Sequence, residues 1–218
     1  MKKSFFSLSI FISVVLSSTI SAQDSYSIQI NGGLISPMSS SNGFVGTAQF
    51  NYPVSSKISL YIYSGYSSWD KYTDYYREDY SPTQKQTLFN AYSADDHSLI
   101  PVYIGSKINF HSNSIFTAFL NFELGYSFIS YNSFDIQKSV NAVTGAVLSY
   151  YTDQSSKKRI DESVFGIGIG GGLSHPISER LNLILSYKFN SYANSDYPGL
   201  FSTKGIYSAF LVGLNYNI

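Results

Sequence analysis

The sequence predicts an all-β protein: an eight-stranded, antiparallel, up-and-down transmembrane β-barrel. Three observations predict it. Charged residues make up 13% of the chain, about half of the ~25% usual in soluble domains, while aromatics reach 17%, with 20 Tyr and 16 Phe. Apolar residues alternate with polar ones over long stretches. The connections between those stretches are short and long by turns.

The first segment, "MKKSFFSLSIFISVVLSSTISAQ", has two lysines, an apolar run from Phe5 to about Ile20 and a small-residue end. This is the pattern of a secretory signal peptide, with cleavage expected after Ala22. Residues 1–22 are then the signal peptide and 23–218 the barrel domain. Lys2 and Lys3 leave with the signal, so 14 basic and 14 acidic residues become 12 and 14, a net charge of −2. That balance argues against nucleic acid as a partner. The chain has no cysteine, which removes disulfides and thiolate metal sites. Export without disulfides fits a bacterial envelope protein. Beyond the signal, no run of ~20 apolar residues exists to form a transmembrane helix.

The alternation is clearest in "IFTAFLNFELGYSF". Phe116, Ala118, Leu120, Phe122, Leu124, Tyr126 and Phe128 fall on one face. Thr117, Phe119, Asn121, Glu123, Gly125 and Ser127 fall on the other. Period two is a strand. Earlier stretches repeat it, marked by Tyr26, Ile28, Ile30 and Leu34, then Phe44, Ala48, Phe50 and Tyr52, then Ile58, Leu60, Ile62 and Tyr66. The fourth is marked by Ile100, Val102, Ile104, Ile108 and Phe110, and the quoted segment is the fifth. Phe165, Ile167, Ile169 and Leu173 mark the sixth. Leu181, Leu183, Leu185, Tyr187 and Phe189 mark the seventh, and Phe210, Val212, Leu214, Tyr216 and Ile218 the eighth.

"PVSSK", "HSNS" and "HPISE" are the short connections. The others are "SPMSSSN", Asp70 to Asp96, Ile129 to Glu162 and Ser191 to Lys204. Short turns on one side and long loops on the other are the habit of outer-membrane barrels, and an even strand count puts both termini on the short-turn side. The two longest connections are expected to be loops, open to protease near Arg77 and near Lys157 to Arg159.

A soluble barrel also alternates, so the outward face must be identified. A water-facing side would carry many charges. Here the polar face is Gly, Ser, Asn, Thr and Tyr with isolated Lys107, Glu123 and Lys188, which suits a narrow, side-chain-filled lumen. The apolar face suits lipid, with Leu120 expected near the midplane. Tyr26, Tyr52, Trp69, Phe110, Phe116, Phe128, Phe189 and Tyr216 are expected in the interfacial girdles.

One stretch points elsewhere. In "VFGIGIGGGLSHP", Gly166, Gly168 and Gly171 spell G-x-G-x-x-G, the dinucleotide fingerprint. That motif must follow a strand, open a helix and have an acid ≈ 20 residues on. These glycines lie inside the strand, Pro176 follows, and no acid stands near Ser191. Gly166, Gly168, Gly170 and Gly172 instead share the lumen face, leaving room for Tyr61, Tyr63, Tyr103 and Phe119. No nucleotide, metal or other cofactor is expected.

On "HSLIPVYIGSKINF", "FTAFLNFELGYSF", the glycine-rich sixth strand and "YSAFLVGLNYNI", the chain resembles the small outer-membrane barrels of the OmpA-transmembrane-domain and OmpX type. The resemblance implies a bacterial outer-membrane protein in contact with outer-membrane lipid. It also implies a terminal assembly signal, G-x-x-aromatic-x-aromatic, read by the outer-membrane assembly machinery. Gly213, Tyr216 and Ile218 stand at those places, with Ile replacing the usual Phe.

The expected role is non-catalytic: a monomer with a structural or surface-interaction function carried by its outer loops, for an unspecified extracellular ligand or surface partner. Tyr72, Tyr75, Tyr76 and Tyr80 mark the loop candidate. They also fit a plain hairpin with cross-strand tyrosines. An outer-membrane lipid-modifying enzyme is the alternative. His111 and His175 lie in turns, and His97 beside Ser98 points to the opposite strand face, a poor nucleophile–base pair. A narrow, low-conductance pore is the third reading. Within the lumen, Glu123 stands about ten residues above its turn and Lys188 about eleven above its own. A buried carboxylate needs a partner, so Glu123–Lys188 is the expected ion pair, joined by hydrogen bonds from nearby tyrosines, with Lys107, about six residues up, as second candidate.

Overall fold

A computed structural model describes residues 25–38, 40–71, 75–112, 115–192 and 206–218. The expected signal peptide and most of the Ser191–Lys204 connection lie outside them. The strands are β1 (Ser27–Pro37), β2 (Gly43–Pro53), β3 (Ile58–Lys71), β4 (Tyr75–Ser81), β5 (Gln86–Ser112), β6 (Thr117–Val140), β7 (Val147–Pro176), β8 (Leu181–Tyr192) and β9 (Ile206–Asn217). Every pairing is antiparallel. The sheet order is β3-β2-β1-β9-β8-β7-β6-β5-β4, and β3 also pairs with β5. That last pairing closes eight strands into a barrel with no free edge, and β4 stands outside the ring. Closure is what lets a sheet enter lipid, because no backbone N–H or C=O is left unpaired there.

The faces follow parity. On β6, Leu120, Phe122, Leu124, Tyr126 and Phe128 are exposed, while Phe119, Asn121, Glu123 and Ser127 are buried in the lumen. Ile62, Ile104 and Leu124 lie side by side across β3, β5 and β6, and all three point outward. Similar apolar residues face out on β1, β2, β8 and β9. A soluble monomer does not expose a continuous apolar belt; this one is a lipid-contact surface. Leu120 lies near the lower end of the β6 row and Leu124 at its centre, so Leu124 is the nearer of the two to the middle of the apolar belt. Trp69 also departs from expectation. It is 3% exposed and points into the lumen, because it shares the parity of Tyr61 and Tyr63 rather than that of Ile62 and Tyr66.

Ser27 pairs with Asn217, so the described ends of the chain share the short-turn end. At the opposite end the expected loops are largely strand. β5, β6 and β7 run 27, 24 and 30 residues, against 11 for β1 and β2. A bilayer needs only ~9–11 residues per strand, so the excess projects outside. β4 pairs with the upper part of β5 around a turn at residues 82–85. β6 and β7 close around residues 141–146. The tyrosine-rich connection is thus a hairpin, with Tyr75 opposite Tyr92 and Tyr80 opposite Thr87. Arg77, Lys158 and Arg159 have ladder partners, which protects their backbone, whereas Lys157 falls in the irregularity between Asp153 and Lys158, where β7 has no partners on β6. Trypsin added to whole cells should therefore cut first at Lys85, exposed in the turn with φ 51°, or at Lys157 in the unpaired stretch of β7, and a gel showing first cuts at Arg77 or Arg159 would contradict the paired extension.

Candidate functional site

The lumen is filled in three tiers, each traceable to the odd or even set of its strands. The lowest is an amide ladder across β1, β2 and β9. Gln29 Nε2 donates to Asn31 Oδ1 at 2.7 Å, and Asn31 Nδ2 to Thr47 at 2.9 Å. Gln49 Nε2 donates to Asn51 Oδ1 at 2.6 Å, and Asn51 Nδ2 reaches Ser27 and Asn215, each at 3.1 Å. Most buried amides are paired in this way; within the ladder Gln29 Oε1 is left without a partner.

The middle tier is built around Glu123. Lys188 Nζ lies 2.8 Å from Glu123 Oε2. Tyr61 OH donates to Oε2 and Tyr63 OH to Oε1, each at 2.8 Å. Asn190 Nδ2 donates to Oε1 at 2.8 Å. Four donors from β3 and β8 thus converge on one carboxylate of β6. The ammonium of Lys188 also sits 4.0 Å from the centroid of the Tyr63 ring, a cation–π contact that offsets its lost hydration.

The glycines of β7 make this meeting possible. β7 lies between β6 and β8, with Gly168 opposite both Glu123 and Asn190, and Gly170 opposite Lys188. A Cβ on Gly168 would fall 2.7 Å from Glu123 Cγ. One on Gly172 would fall 2.7 Å from the end of the Phe119 ring, and one on Gly166 would collide with Tyr103 OH. The G-x-G pattern is a bare stave over which side chains of β6 and β8 join. Gly168→Val should cost about 1–3 kcal/mol by overpacking; urea unfolding in lipid checks it, and wild-type stability in the variant would mean that the stave has spare room.

The upper tier is apolar. Ile35, Trp69, Leu99, Ile129, Tyr131, Val164 and Tyr207 form one buried cluster. His97 is stacked between two of its rings, 5.0 Å from Trp69 and 5.4 Å from Tyr131. Its Nδ1 lies 3.4 Å from the Asp70 carbonyl. Ser68, Ser98 and Ser130, the outward residues at this height by register, place His97 above the apolar belt. Burial pulls its pKa down to about 4 from an ordinary 6.5. The folded state thus binds its proton more weakly than the unfolded state, so His97 should lower stability progressively as pH falls from about 6.5 to about 4. His97→Phe should flatten that part of the melting-temperature profile, and an unchanged slope would remove His97 as its cause.

The remaining sequence candidates fall as follows. Lys107 does not join the Glu123 cluster. Its Nζ lies over the Phe119 ring, 4.8 Å from the centroid, because it sits two rungs lower on the β5–β6 ladder. Tyr72 lies outside the described residues. Tyr75 and Tyr76 lie on β4, and Tyr80 is exposed there. Gly213 faces the lumen against Asn31, while Tyr216 and Ile218 face outward at the lower rim. His175 Nδ1 bonds the Ile115 carbonyl at 2.5 Å and ties two turns together. Tyr61 and Tyr63, lumen-facing by parity, supply the expected tyrosine hydrogen bonds, and Asn190 is the cluster member that reasoning about charges missed; its lumen parity was the available signal. Among the described residues no group of three His, Asp or Glu is arranged to hold a metal.

A closed eight-stranded ring, a lipid-facing belt and a packed polar lumen define an integral outer-membrane β-barrel. A solved structure shares this fold. Neisserial surface protein A matches with TM-score 0.56 and 13% identity over 88% of this chain and 97% of that one. The outer membrane protein OprG of Pseudomonas aeruginosa matches with TM-score 0.47 and 10% identity, over 92% of this chain and 100% of that one. Ail, the attachment invasion locus protein of Yersinia pestis, gives TM-score 0.46 and 10% identity, over 89% and 97%. No protein-family model matches the chain, and no curated protein matches it in sequence.

Proposed function

We propose that this barrel is a non-catalytic surface-interaction protein whose working part is the strand wall projecting beyond the membrane. The observation that carries the reading is the asymmetry of strand length: β5, β6 and β7 are more than twice as long as β1 and β2. Ordered protruding sheet offers contact area at a low entropic cost, since little is left to order on binding. The two outer hairpins are linked by Lys138 and Glu78 at 3.1 Å. At the base of the wall, Asn132 Nδ2 donates to Asp95 at 3.1 Å and Asp96 at 3.2 Å.

The lipid-enzyme alternative has less support. His97 is sandwiched between rings, its neighbour Ser98 has the opposite strand parity, and a low pKa leaves it a weak base. A pore has less support as well, because three tiers of side chains fill the lumen. The Glu123 cluster reads as a structural clamp, and the protein as a monomer assembled through Gly213, Tyr216 and Ile218. The test is capture of surface partners by protein in nanodiscs, with intact hairpins and with residues 75–92 replaced by a short turn. Capture that depends on the hairpins supports the reading. Equal capture by both forms, or lipid hydrolysis by the intact protein, overturns it.

A further inference from the structure

The β6–β7 hairpin ends in an apolar tip that a projecting wall does not by itself require. From Ser139 to Thr152 no residue is charged. Residues 142–149, around the turn, are all exposed, among them Val143 at 93% and Leu148 at 65%. Val140 and Val147, paired just below the turn, are half-exposed. A contiguous group of aliphatic side chains held out in water marks an interaction site. Val140 stands twelve residues beyond Phe128 of the outer belt, about 40 Å along the strand at ~3.3 Å per residue. Even at the ~45° tilt of membrane strands, the tip stands clear of the protein's own bilayer. Two features define the medium it fits. First, the apolar residues surround the tip. A groove on a protein would cover one face of a hairpin and leave the other wet, whereas a lipid surface receives both. Down the hairpin the rungs pass from Val140/Val147 and Ser139/Ser149 to Lys138/Tyr150 and Gln137/Tyr151, and then reach Asp135/Asp153. Aliphatic, then tyrosine and lysine, then acid is the order of a membrane interface from inside outward. Second, the turn satisfies its own backbone. Asn141 N–H donates to the Ala146 carbonyl and Gly145 N–H to the Asn141 carbonyl, each at 2.8 Å. Asn141 Oδ1 accepts from Val143 N–H at 2.8 Å and Thr144 N–H at 3.1 Å, and Thr144 Oγ1 accepts from Ala146 N–H at 3.4 Å. Leaving water therefore leaves few donors bare, and bare donors are the main cost of taking a turn into lipid.

We propose that the β6–β7 tip seats itself shallowly in an opposing phospholipid bilayer, which makes a second membrane the partner of the surface interaction inferred above and rests on that reading. The contact is apolar rather than electrostatic, since the tip carries no charge and Lys138 below it is tied to Glu78 at 3.1 Å. The full processed protein in nanodiscs is mixed with phosphatidylcholine vesicles and followed by flotation, with empty nanodiscs as the control. Co-flotation is expected. Val143→Ser combined with Leu148→Ser should weaken it about tenfold or more, as the transfer energy of two aliphatic side chains is lost. Val143→Leu should retain it, and neither higher salt nor added phosphatidylglycerol should strengthen or abolish it. These positions are exposed and lie outside the ring, so folding is kept, as heat-modifiable gel migration checks. The chain has a single tryptophan, Trp69, shut in the lumen, so Val143→Trp adds a reporter at the tip. Its emission should shift to the blue with vesicles and be quenched by lipids brominated near the headgroup. No co-flotation, equal co-flotation by the double serine variant, or binding that appears only with anionic lipid overturns the proposal. If nanodiscs that fail to bind vesicles still capture a protein through the hairpins, the surface-interaction reading stands and the membrane partner alone falls.

Discussion

Lys188→Met should destabilise the folded barrel by about 3–5 kcal/mol, the range for removing one member of a buried ion pair, with lumen water lowering the figure. The variant keeps roughly the volume of the side chain and removes only the ammonium. Glu123 is then left without its cation among Tyr61, Tyr63 and Asn190, with three donors in place of four. Glu123→Gln should cost less when Lys188 is already gone than when it is present, because the two groups face each other at 2.8 Å. The measurement is a double-mutant cycle by urea unfolding in lipid. A coupling energy below ~0.5 kcal/mol, the scatter of independent sites, would show that the two groups do not act as a pair. The same cycle with Lys107→Met should give no coupling to Glu123, since Lys107 lies over Phe119 instead.

Leu124→Arg should cost about 2–4 kcal/mol, the depth-dependent penalty for a cation on the lipid face at the midplane. Leu120→Arg should cost distinctly less. Leu120 lies near the lower end of β6, where a long side chain reaches the interface. Both residues are half-exposed on the outer surface, so neither substitution disturbs lumen packing. Refolding titrations into bilayers measure the two costs. Equal costs would misplace the membrane along the barrel, and no cost at either site would mean that this face does not meet lipid.

Much of the architecture was legible because strand periodicity is a local property. Each side chain's face follows from parity alone, so the lipid belt of β6 and the glycine stave of β7 could be read residue by residue. Trp69 shows the one way this reading fails. Its position at a strand end suggested an interfacial girdle, but parity placed it inside, and the strand geometry prevailed. The outer half was less legible. "DKYTDYYREDYSPTQKQ" is rich in charge and poor in aliphatic residues, so no lipid-facing period marks it. Its Tyr75–Ser81 part is nevertheless a strand, because cross-strand pairing and backbone hydrogen bonds suffice above the membrane, where neither face must be apolar.

The sequence by itself determined the strand number in the ring, the outward face, the polar character of the lumen and the isolation of its few charges. Those follow from alternation and composition, which need no partner to be read. Residue counts from the turns put Glu123 and Lys188 at one height, but only the tertiary structure decided how they meet across a strand and which neutral donors join them. Glu123 is close to Lys188 because an intervening strand lacks side chains at Gly168 and Gly170, and because barrel closure brings Tyr61 and Tyr63 of β3 across the lumen to the same carboxylate. Lys107 stands only about six residues above its turn, against about eleven for Lys188. The ladder accordingly sets it two rungs below Glu123, over the Phe119 ring rather than in the cluster. Contacts across a closed ring depend on register, shear and the absence of intervening atoms, and these are properties of the assembled barrel rather than of any segment in it.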